Sequence, residues 1–312
     1  MKNKTLLSVV GTTGIGKTRL AIDLAREFNT EIISCDSRQF FSEMKIGTAA
    51  PSEEELSQAK HHFIGQLSVR EYYSIGQFEH DALELLAQLF EKYDIVIMVG
   101  GSMMYEKAVI EGLNDLPEAN EENQKKLENI WKTEGIEKLQ EMLKDLDPEY
   151  YHTVDIHNQR RLFRAIDIIW QTGKTYSENI SHDKNPRDFN VIRIGIEAPR
   201  EMIYERINLR VDKMLENGLP EEAKNLDELR KSEEGKTLAS LNTVGYSELF
   251  KYFDGEWDFD FAVSEIKKNS RRFAKRQLTW YRKEDDICYL QLGYSQEDFD
   301  GLIGYINKQF QK

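Results

Sequence analysis

The run Thr5 to Val10 is almost wholly apolar, ends in glycine, and leads into a stretch where Ala21, Leu24, Ala25 and Phe28 recur at helical spacing. That pattern predicts a strand, a tight turn and an amphipathic helix, and the chain repeats it. Apolar runs at Glu31–Cys35 and Asp94–Val99 predict further strands, with helices over Lys17–Phe28, Ile75–Tyr93 and Met103–Glu111. Such alternation is that of an α/β protein with a parallel sheet flanked by helices. From Pro117 to about Asn185 the β-rich runs stop and helical periodicity takes over, including Glu121–Leu146 and Arg161–Thr172. Residues 118–185 are therefore expected to form an all-helical insertion. A strand at Val191–Glu197 brings the chain back, followed by helices at Glu201–Asn217, Pro220–Arg230, Ser247–Phe253 and Phe261–Arg282. A short strand is expected at Cys288–Leu292. The core then comprises residues 1–117 and 186–312.

The turn after the first strand changes the picture most. Gly11, Thr12, Thr13, Gly14, Ile15, Gly16, Lys17 and Thr18 fit the phosphate-loop pattern G-x-x-x-x-G-K-[ST] in its required strand–turn–helix setting. Glycines let the backbone curl so that several N–H groups meet one anion, and the new helix adds its positive end. Lys17 supplies a movable charge and the Thr18 hydroxyl a ligand for Mg2+. The fold class expected is thus a P-loop NTPase-like parallel sheet with a helical insertion. Proteins that hydrolyse or transfer a terminal phosphate usually add a metal-binding acid after another strand. Here Asp94–Val99 runs into Gly100-Gly101-Ser102 instead. That weakens ATPase and GTPase readings and leaves room for a diphosphate that departs as a leaving group.

Charge narrows the partners. Forty-two basic and 55 acidic residues give a net −13, which as an average repels polyanions. Yet residues 266–283 hold no acid and eight cations, Lys267, Lys268, Arg271, Arg272, Lys275, Arg276, Arg282 and Lys283. The rest of the chain carries −21. Lys267, Arg271 and Lys275 are spaced by four, as are Lys268, Arg272 and Arg276, which places all six on one side of a helix. Ile266, Phe273 and Trp280, seven apart, are expected to anchor its other side. A single-sign stripe on an acidic protein favours contact with a phosphate backbone. The two cysteines, Cys35 and Cys288, are too few for a disulfide framework or a four-ligand zinc site. Cys35 reads as a small buried residue. No apolar run approaches the length of a membrane span, and the short apolar N-terminal run leads into the loop rather than reading as a signal peptide. A monomeric cytoplasmic enzyme with no membrane contact is expected.

In doubly wound sheets, ligands sit beyond the carboxyl ends of the strands. Asp36-Ser37-Arg38-Gln39 ends the second strand, where Asp36 could act as a general base or simply cap the next turn. Gly100 and Gly101 allow close backbone approach, and the Ser102 hydroxyl could donate to a phosphate or leaving-group oxygen. His61-His62 are adjacent and cannot share a metal, so structural or supporting roles are expected. His152 and His157 lack metalloprotease spacing. The pair Tyr72-Tyr73 reads as core packing.

With these residues in view, the chain resembles the bacterial tRNA dimethylallyltransferases nearly end to end. The resemblance is carried by the phosphate loop, Asp36–Gln39, Met44-Lys-Ile-Gly-Thr-Ala-Ala-Pro51, His61-His62 and Tyr73-Ser-Ile-Gly-Gln-Phe78. It continues through Gly100-Gly-Ser-Met-Met-Tyr105, Glu111-Gly-Leu-Asn-Asp-Leu-Pro117, Arg161-Leu-Phe-Arg-Ala165 and Thr172-Gly-Lys-Thr175. Val244-Gly-Tyr246 and Ala274-Lys-Arg-Gln-Leu-Thr-Trp280 complete it. It implies transfer of a dimethylallyl group from dimethylallyl diphosphate to N6 of adenosine 37, just 3′ of a tRNA anticodon, with Mg2+ and release of diphosphate. It also implies that the anticodon stem-loop is held between core and insertion. By the same resemblance Asp36 is the general base, Ser102 the hydroxyl beside the glycine pair, and Arg210 a diphosphate contact. The tRNA contact falls on Asp36, Ser37, Arg38 and Gln39, and on Arg160, Arg161, Leu162, Phe163 and Arg164, besides Lys267, Arg271, Arg272 and Lys275 of the stripe. Arg160, Asn242-Thr243 and Ser247-Glu248 depart from the family pattern, which touches details of tRNA contact but not the reacting centre.

Physical chemistry reaches the same expectation. An allylic diphosphate ionises readily, so the protein mainly stabilises the departing anion. The adenine amine is a poor nucleophile, and a base taking its proton contributes about 10²–10⁴-fold. Reaching N6 requires a flipped base, cheapest in a single-stranded loop. Three alternatives remain open at this point. A small-molecule kinase could use the same cradle, a prenyltransferase could act on free AMP or ADP, and a non-catalytic RNA-binding module would leave Asp36, Ser102 and Arg210 without a purpose.

Overall fold

A computed structural model describes residues 4–180 and 186–310. The ends of the expected core and the last residues of the expected insertion, 1–3, 311–312 and 181–185, lie outside the described residues. Among those described, the chain runs β1 (Thr5–Val10), α1 (Lys17–Glu27), β2 (Ile32–Ser34), α2 (Glu53–Gln58), β3 (His61–His62), α3 (Ile75–Phe90), β4 (Ile95–Val99) and α4 (Met103–Glu111). Helices α5 (Glu121–Leu146), α6 (Pro148–Thr153), α7 (Gln159–Thr172) and α8 (Tyr176–Asn179) follow. The chain then continues through β5 (Asn190–Glu197), α9 (Arg200–Glu216), α10 (Leu219–Lys231), α11 (Tyr246–Phe253), α12 (Phe259–Tyr281), β6 (Ile287–Gln291) and α13 (Gln296–Phe310). It divides into two compact units, Met1–Ile110 with Arg187–Lys312, and Glu111–Pro186.

In the first unit the strands pair in parallel in the order β3-β2-β4-β1-β5-β6. Every residue of β1, β2 and β4 is buried. Strands covered on both faces read as unbroken apolar runs, which is why these three were legible. Alternate side chains feed two cores. Leu7, Val9 and Ile97 pack with Leu20 and Leu24 of α1, Ile203 and Ile207 of α9, and Phe299, Leu302 and Ile306 of α13. Leu6, Val96 and Met98 pack with Phe78, Ala82, Leu86 and Phe90 of α3 on the other face. A third cluster joins Met44 and Phe41 to α10, α11 and Ile266 of α12.

Three elements of the first unit go beyond the sequence expectation. The short α2 precedes β3, helix α13 follows the last strand and closes the first core, and β3 is made of the two histidines. His61 and His62 extend the sheet beyond β2, opposite Ile32 and Ile33. His62 is held by the Glu31 carboxylate at 2.6 Å, which also accepts from Tyr93. One expectation fails here. Tyr73 is core, edge-on to Phe40 with its hydroxyl donating to Asp81, but Tyr72 is 76% exposed.

The second unit has its own core of Leu127, Leu139, Leu143, Leu162, Phe163, Ala165, Ile166 and Ile169. Helix α5 is two helices meeting at Gly135, whose φ of 82° interrupts the helical run. Two buried carboxylates organise its turns. Asp147 caps α6 and accepts from the Ser177 amide and hydroxyl, and Asp167 accepts from Asn120, Asn123, Gln124 and Gln171. Buried acids persist when every lone pair finds a donor.

Candidate active site

The phosphate loop leaves β1 and turns into α1 at Gly16, whose φ of 109° lies in the region open mainly to glycine. The first turn of α1 has no side-chain cap and no acid, so its amides are left for an anion. Lys17 folds back over the loop, donating to the Thr12 carbonyl at 2.8 Å. Burial lowers its pKa to about 8, against the opposing pull of Asp36; Arg210 lowers it further. Arg210, on α9, is likewise lowered by burial and raised by Asp36. Two partly buried cations and one carboxylate therefore share a site, and the desolvation of the cations favours binding an anion.

Asp36 is set by its own turn and by the glycine pair. Its Oδ1 accepts the Arg38 amide at 3.0 Å. A Cβ on Gly100 would stand 2.5 Å from the Cys35 carbonyl carbon and Sγ, and one on Gly101 3.0 Å from Asp36 Oδ2. The close approach expected of these glycines is thus made to the end of β2 and the Asp36 carboxylate. Ser102 accepts the Ser37 amide at 3.0 Å and donates to the Ser37 hydroxyl at 2.9 Å, locking the same two turns together. Cys35 is buried, and burial pushes its thiol up, in keeping with a packing role.

Two cavities meet here. One, of about 410 Å3, is walled by Gly14, Gly16, Lys17, Thr18, Asp36 and Arg210, among others. The other, of about 300 Å3, is lined by the polar Thr13, Asp36, Ser102 and Arg210 and by the apolar Ile207, Val211, Met214, Ile266 and Phe273, among others. Asp36 and Arg210 belong to both walls.

Among the described residues no three His, Cys, Asp or Glu side chains are grouped to hold a metal ion. A cation would have to be held through Thr18 and the oxygens of its anion, the manner usual for Mg2+. His61 fits that arrangement. Its Nδ1 lies 2.8 Å from the Ala59 carbonyl, which can only accept, so Nε2 is the bare acceptor; it is buried without a partner in the wall of the larger cavity. Burial lowers the His61 pKa and keeps the ring neutral, so Nε2 can take a hydrogen bond from a ligand or its water.

Other expected residues separate into groups. Thr13 does not offer its amide to an anion, because that N–H donates to Gln277. Arg38 reaches the Ala239 carbonyl, and Gln39 the Ala49 carbonyl. In the helical unit Arg160 and Arg161 are exposed and Arg164 half-buried, 3.8 Å from Asp167. Leu162 and Phe163 bury their side chains in that unit's core, which leaves their backbone as what they could offer a tRNA. The basic stripe is uneven. Lys267 pairs with Asp212 at 2.5 Å and Arg271 reaches Asn208 at 2.6 Å, both on α9, while Arg272, Lys275 and Arg276 are exposed. Its anchor also differs: Ala262, Ile266, Ala274, Gln277 and Tyr281 are buried, and Phe273 and Trp280 only partly so.

Local sequence reasoning missed the residues that brace the loop at 45–48. Glu222 of α10 accepts the Ile46 and Gly47 amides at 2.9 Å, and Tyr246 donates to Glu222 at 2.5 Å. Gly47 has no room for a side chain, since a Cβ would lie 2.4 Å from the Tyr246 ring. Gly47 and Tyr246 each sit in a recognisable motif, but only the fold joins them. Glu248, a departure from the family pattern, is buried and accepts from the Gly245 amide and Asn269, so it closes the start of α11.

Strand β4 runs into Gly100-Gly101-Ser102 where a P-loop hydrolase would keep a metal-binding acid, and the chain falls among the P-loop transferases. More narrowly, the IPP transferase family matches residues 39–284, and the chain belongs to that family. It is 50% identical over 303 residues to the tRNA dimethylallyltransferase of Christiangramia forsetii, covering 97% of this chain and 98% of that one. Among solved structures it is similar to the tRNA isopentenylpyrophosphate transferase of Bacillus halodurans, with 32% identity, a TM-score of 0.72, and 99% and 97% of the two chains covered. A eukaryotic dimethylallyltransferase acting on tRNA matches with a TM-score of 0.79 and 25% identity, over 93% of this chain and 74% of that one.

Proposed function

We propose that this protein transfers a dimethylallyl group from dimethylallyl diphosphate to N6 of the adenosine just 3′ of a tRNA anticodon, releasing diphosphate. The observation that carries the chemistry is the double placement of Asp36 and Arg210, on the wall of the phosphate cavity and of the partly apolar one beside it. The diphosphate lies against the loop amides, Lys17 and Arg210, which stabilise the charge that grows on it as the carbon–oxygen bond breaks. The allyl carbon and the adenine occupy the adjoining cavity. As N6 bonds to that carbon, Asp36 takes the amine proton. Thr18 would hold Mg2+ against the diphosphate, where the ion would offset charge on the leaving group.

RNA contact is assigned to the exposed cations Arg272, Lys275 and Arg276 of α12 and to Arg160 and Arg161 of the helical unit. Mass spectrometry of anticodon-loop fragments, after incubating tRNA with protein, Mg2+ and dimethylallyl diphosphate, tests the reading directly. One adenosine per loop should gain a dimethylallyl group. Phosphoryl transfer from ATP to a small acceptor with unmodified RNA, or prenylation of AMP alone, would replace it.

A further inference from the structure

Gln277 is a wholly buried polar side chain that the reading above leaves without a role. It lies on α12 beside the exposed Lys275 and Arg276, but turns inward. Its Oε1 accepts the Thr13 N–H at 2.8 Å and its Nε2 donates to the Gly101 carbonyl at 2.9 Å. The two partners belong to different loops, one after β1 and one after β4. Gly101 in turn backs the Asp36 carboxylate, with Oδ2 3.0 Å from where a Cβ would stand. A single amide thus ties the phosphate loop to the turn against which Asp36 rests. Burying an amide is unfavourable unless both ends are paired, and an apolar residue would serve packing alone.

We propose that Gln277 is a positioning residue for the transfer reaction, fixing the spacing between the diphosphate cradle and Asp36. The proposal rests on the assignment of those two parts above. Leaving group and deprotonated amine lie on opposite sides of one carbon, so an error in that spacing misplaces the amine in the transition state. A displacement of about 1 Å can cost on the order of 10²-fold in rate.

The test compares Gln277→Glu and Gln277→Met with the wild type in the full chain. Single-turnover transfer to an anticodon stem-loop, tRNA Kd, dimethylallyl diphosphate Kd and thermal unfolding are read for each. A carboxyl at this position is held protonated by burial and by Asp36 across Gly101, and then donates to Gly101 as the amide does. Once ionised it opposes the Gly101 carbonyl. The Gln277→Glu rate, taken as a ratio to wild type, should be near unity at about pH 6 and fall as pH rises. Gln277→Met should be slower by on the order of 10²-fold throughout, with tRNA Kd unchanged. A Gln277→Glu ratio flat with pH, or wild-type turnover in Gln277→Met, overturns the proposal. Should Gln277→Met fail to fold, the Gln277→Glu profile decides alone. Asp36→Asn in the same assay keeps the two readings apart. Wild-type turnover there removes the base and this proposal together, whereas an inactive Asp36→Asn beside unaffected Gln277 variants removes this proposal only.

Discussion

Gly101 leaves Asp36 no slack: a methyl group at that glycine would lie 3.0 Å from the carboxylate Oδ2. Gly101→Ala should therefore push the carboxylate aside without disturbing the phosphate loop's sequence or the exposed cations of α12. Transfer is expected to slow by on the order of 10²-fold, with tRNA affinity kept. Single-turnover rates beside filter binding check this, and an alanine enzyme of normal speed would show that Asp36 does not need its present place.

Removing the base itself should do more. Asp36→Asn keeps the size and the hydrogen bond from the Arg38 amide but cannot take a proton. The transfer rate should drop about 10²–10⁴-fold while Tm and tRNA Kd stay close to wild type. Quench-flow with labelled dimethylallyl diphosphate reads the chemical step.

Lys17 gives a pH dependence with a definite sign. In the free protein its pKa is lowered to about 8 by burial. A bound diphosphate favours the charged form and raises that pKa, so above pH about 8 binding takes up a proton and affinity falls, by up to about tenfold per pH unit. Titrations from about pH 7 to about pH 9.5 should show the loss, and Lys17→Met should bind more weakly with no such bend in this range.

The exposed part of the basic stripe predicts a salt effect. Reversing Arg272, Lys275 and Arg276 to glutamate should weaken tRNA binding and lower the slope of log K against log salt by about one for each phosphate that is no longer neutralised. Lys267→Gln, which removes a partner of Asp212, should leave that slope unchanged. If the triple reversal leaves it unchanged too, RNA lies elsewhere.

Glu222 should matter for stability as well as for turnover. Its removal in Glu222→Ala leaves the Ile46 amide and the Tyr246 hydroxyl without their acceptor, while the Gly47 amide keeps only the Tyr246 oxygen at 3.2 Å. At about 1–3 kcal/mol for a buried group left unpaired, unfolding in denaturant should show a destabilisation of at least about 2 kcal/mol.

Much of this was legible in the sequence because it is local. The phosphate loop is eight consecutive residues in a fixed setting, and the strands β1 and β4 are continuous apolar runs buried on both faces. Helix α12 shows where such reasoning stops. Its apolar period points to Ile266, Phe273 and Trp280, of which only Ile266 is buried, while the polar Gln277 is wholly buried there and held by partners more than 170 residues away in sequence. The same holds for Gly47 against Tyr246, separated by 199 residues. Strand β3 is not legible locally because two histidines carry no strand signal; backbone pairing with β2 makes them one. Helix α13 did leave a signal, the helical period of Phe299, Leu302 and Ile306, and sequence reasoning passed over it.

The sheet order has a consequence for how the chain is made. Strand β1 gains β4 only after roughly eighty-five residues, and its other neighbour, β5, follows β4 by roughly ninety more that include the helical unit. At ribosomal speeds the nascent protein spends roughly 5–20 s with the open edge of its central strand exposed. During that interval an unpaired, apolar strand edge is available to other chains. During synthesis of this enzyme, a chaperone that shields this edge would therefore favour folding over aggregation.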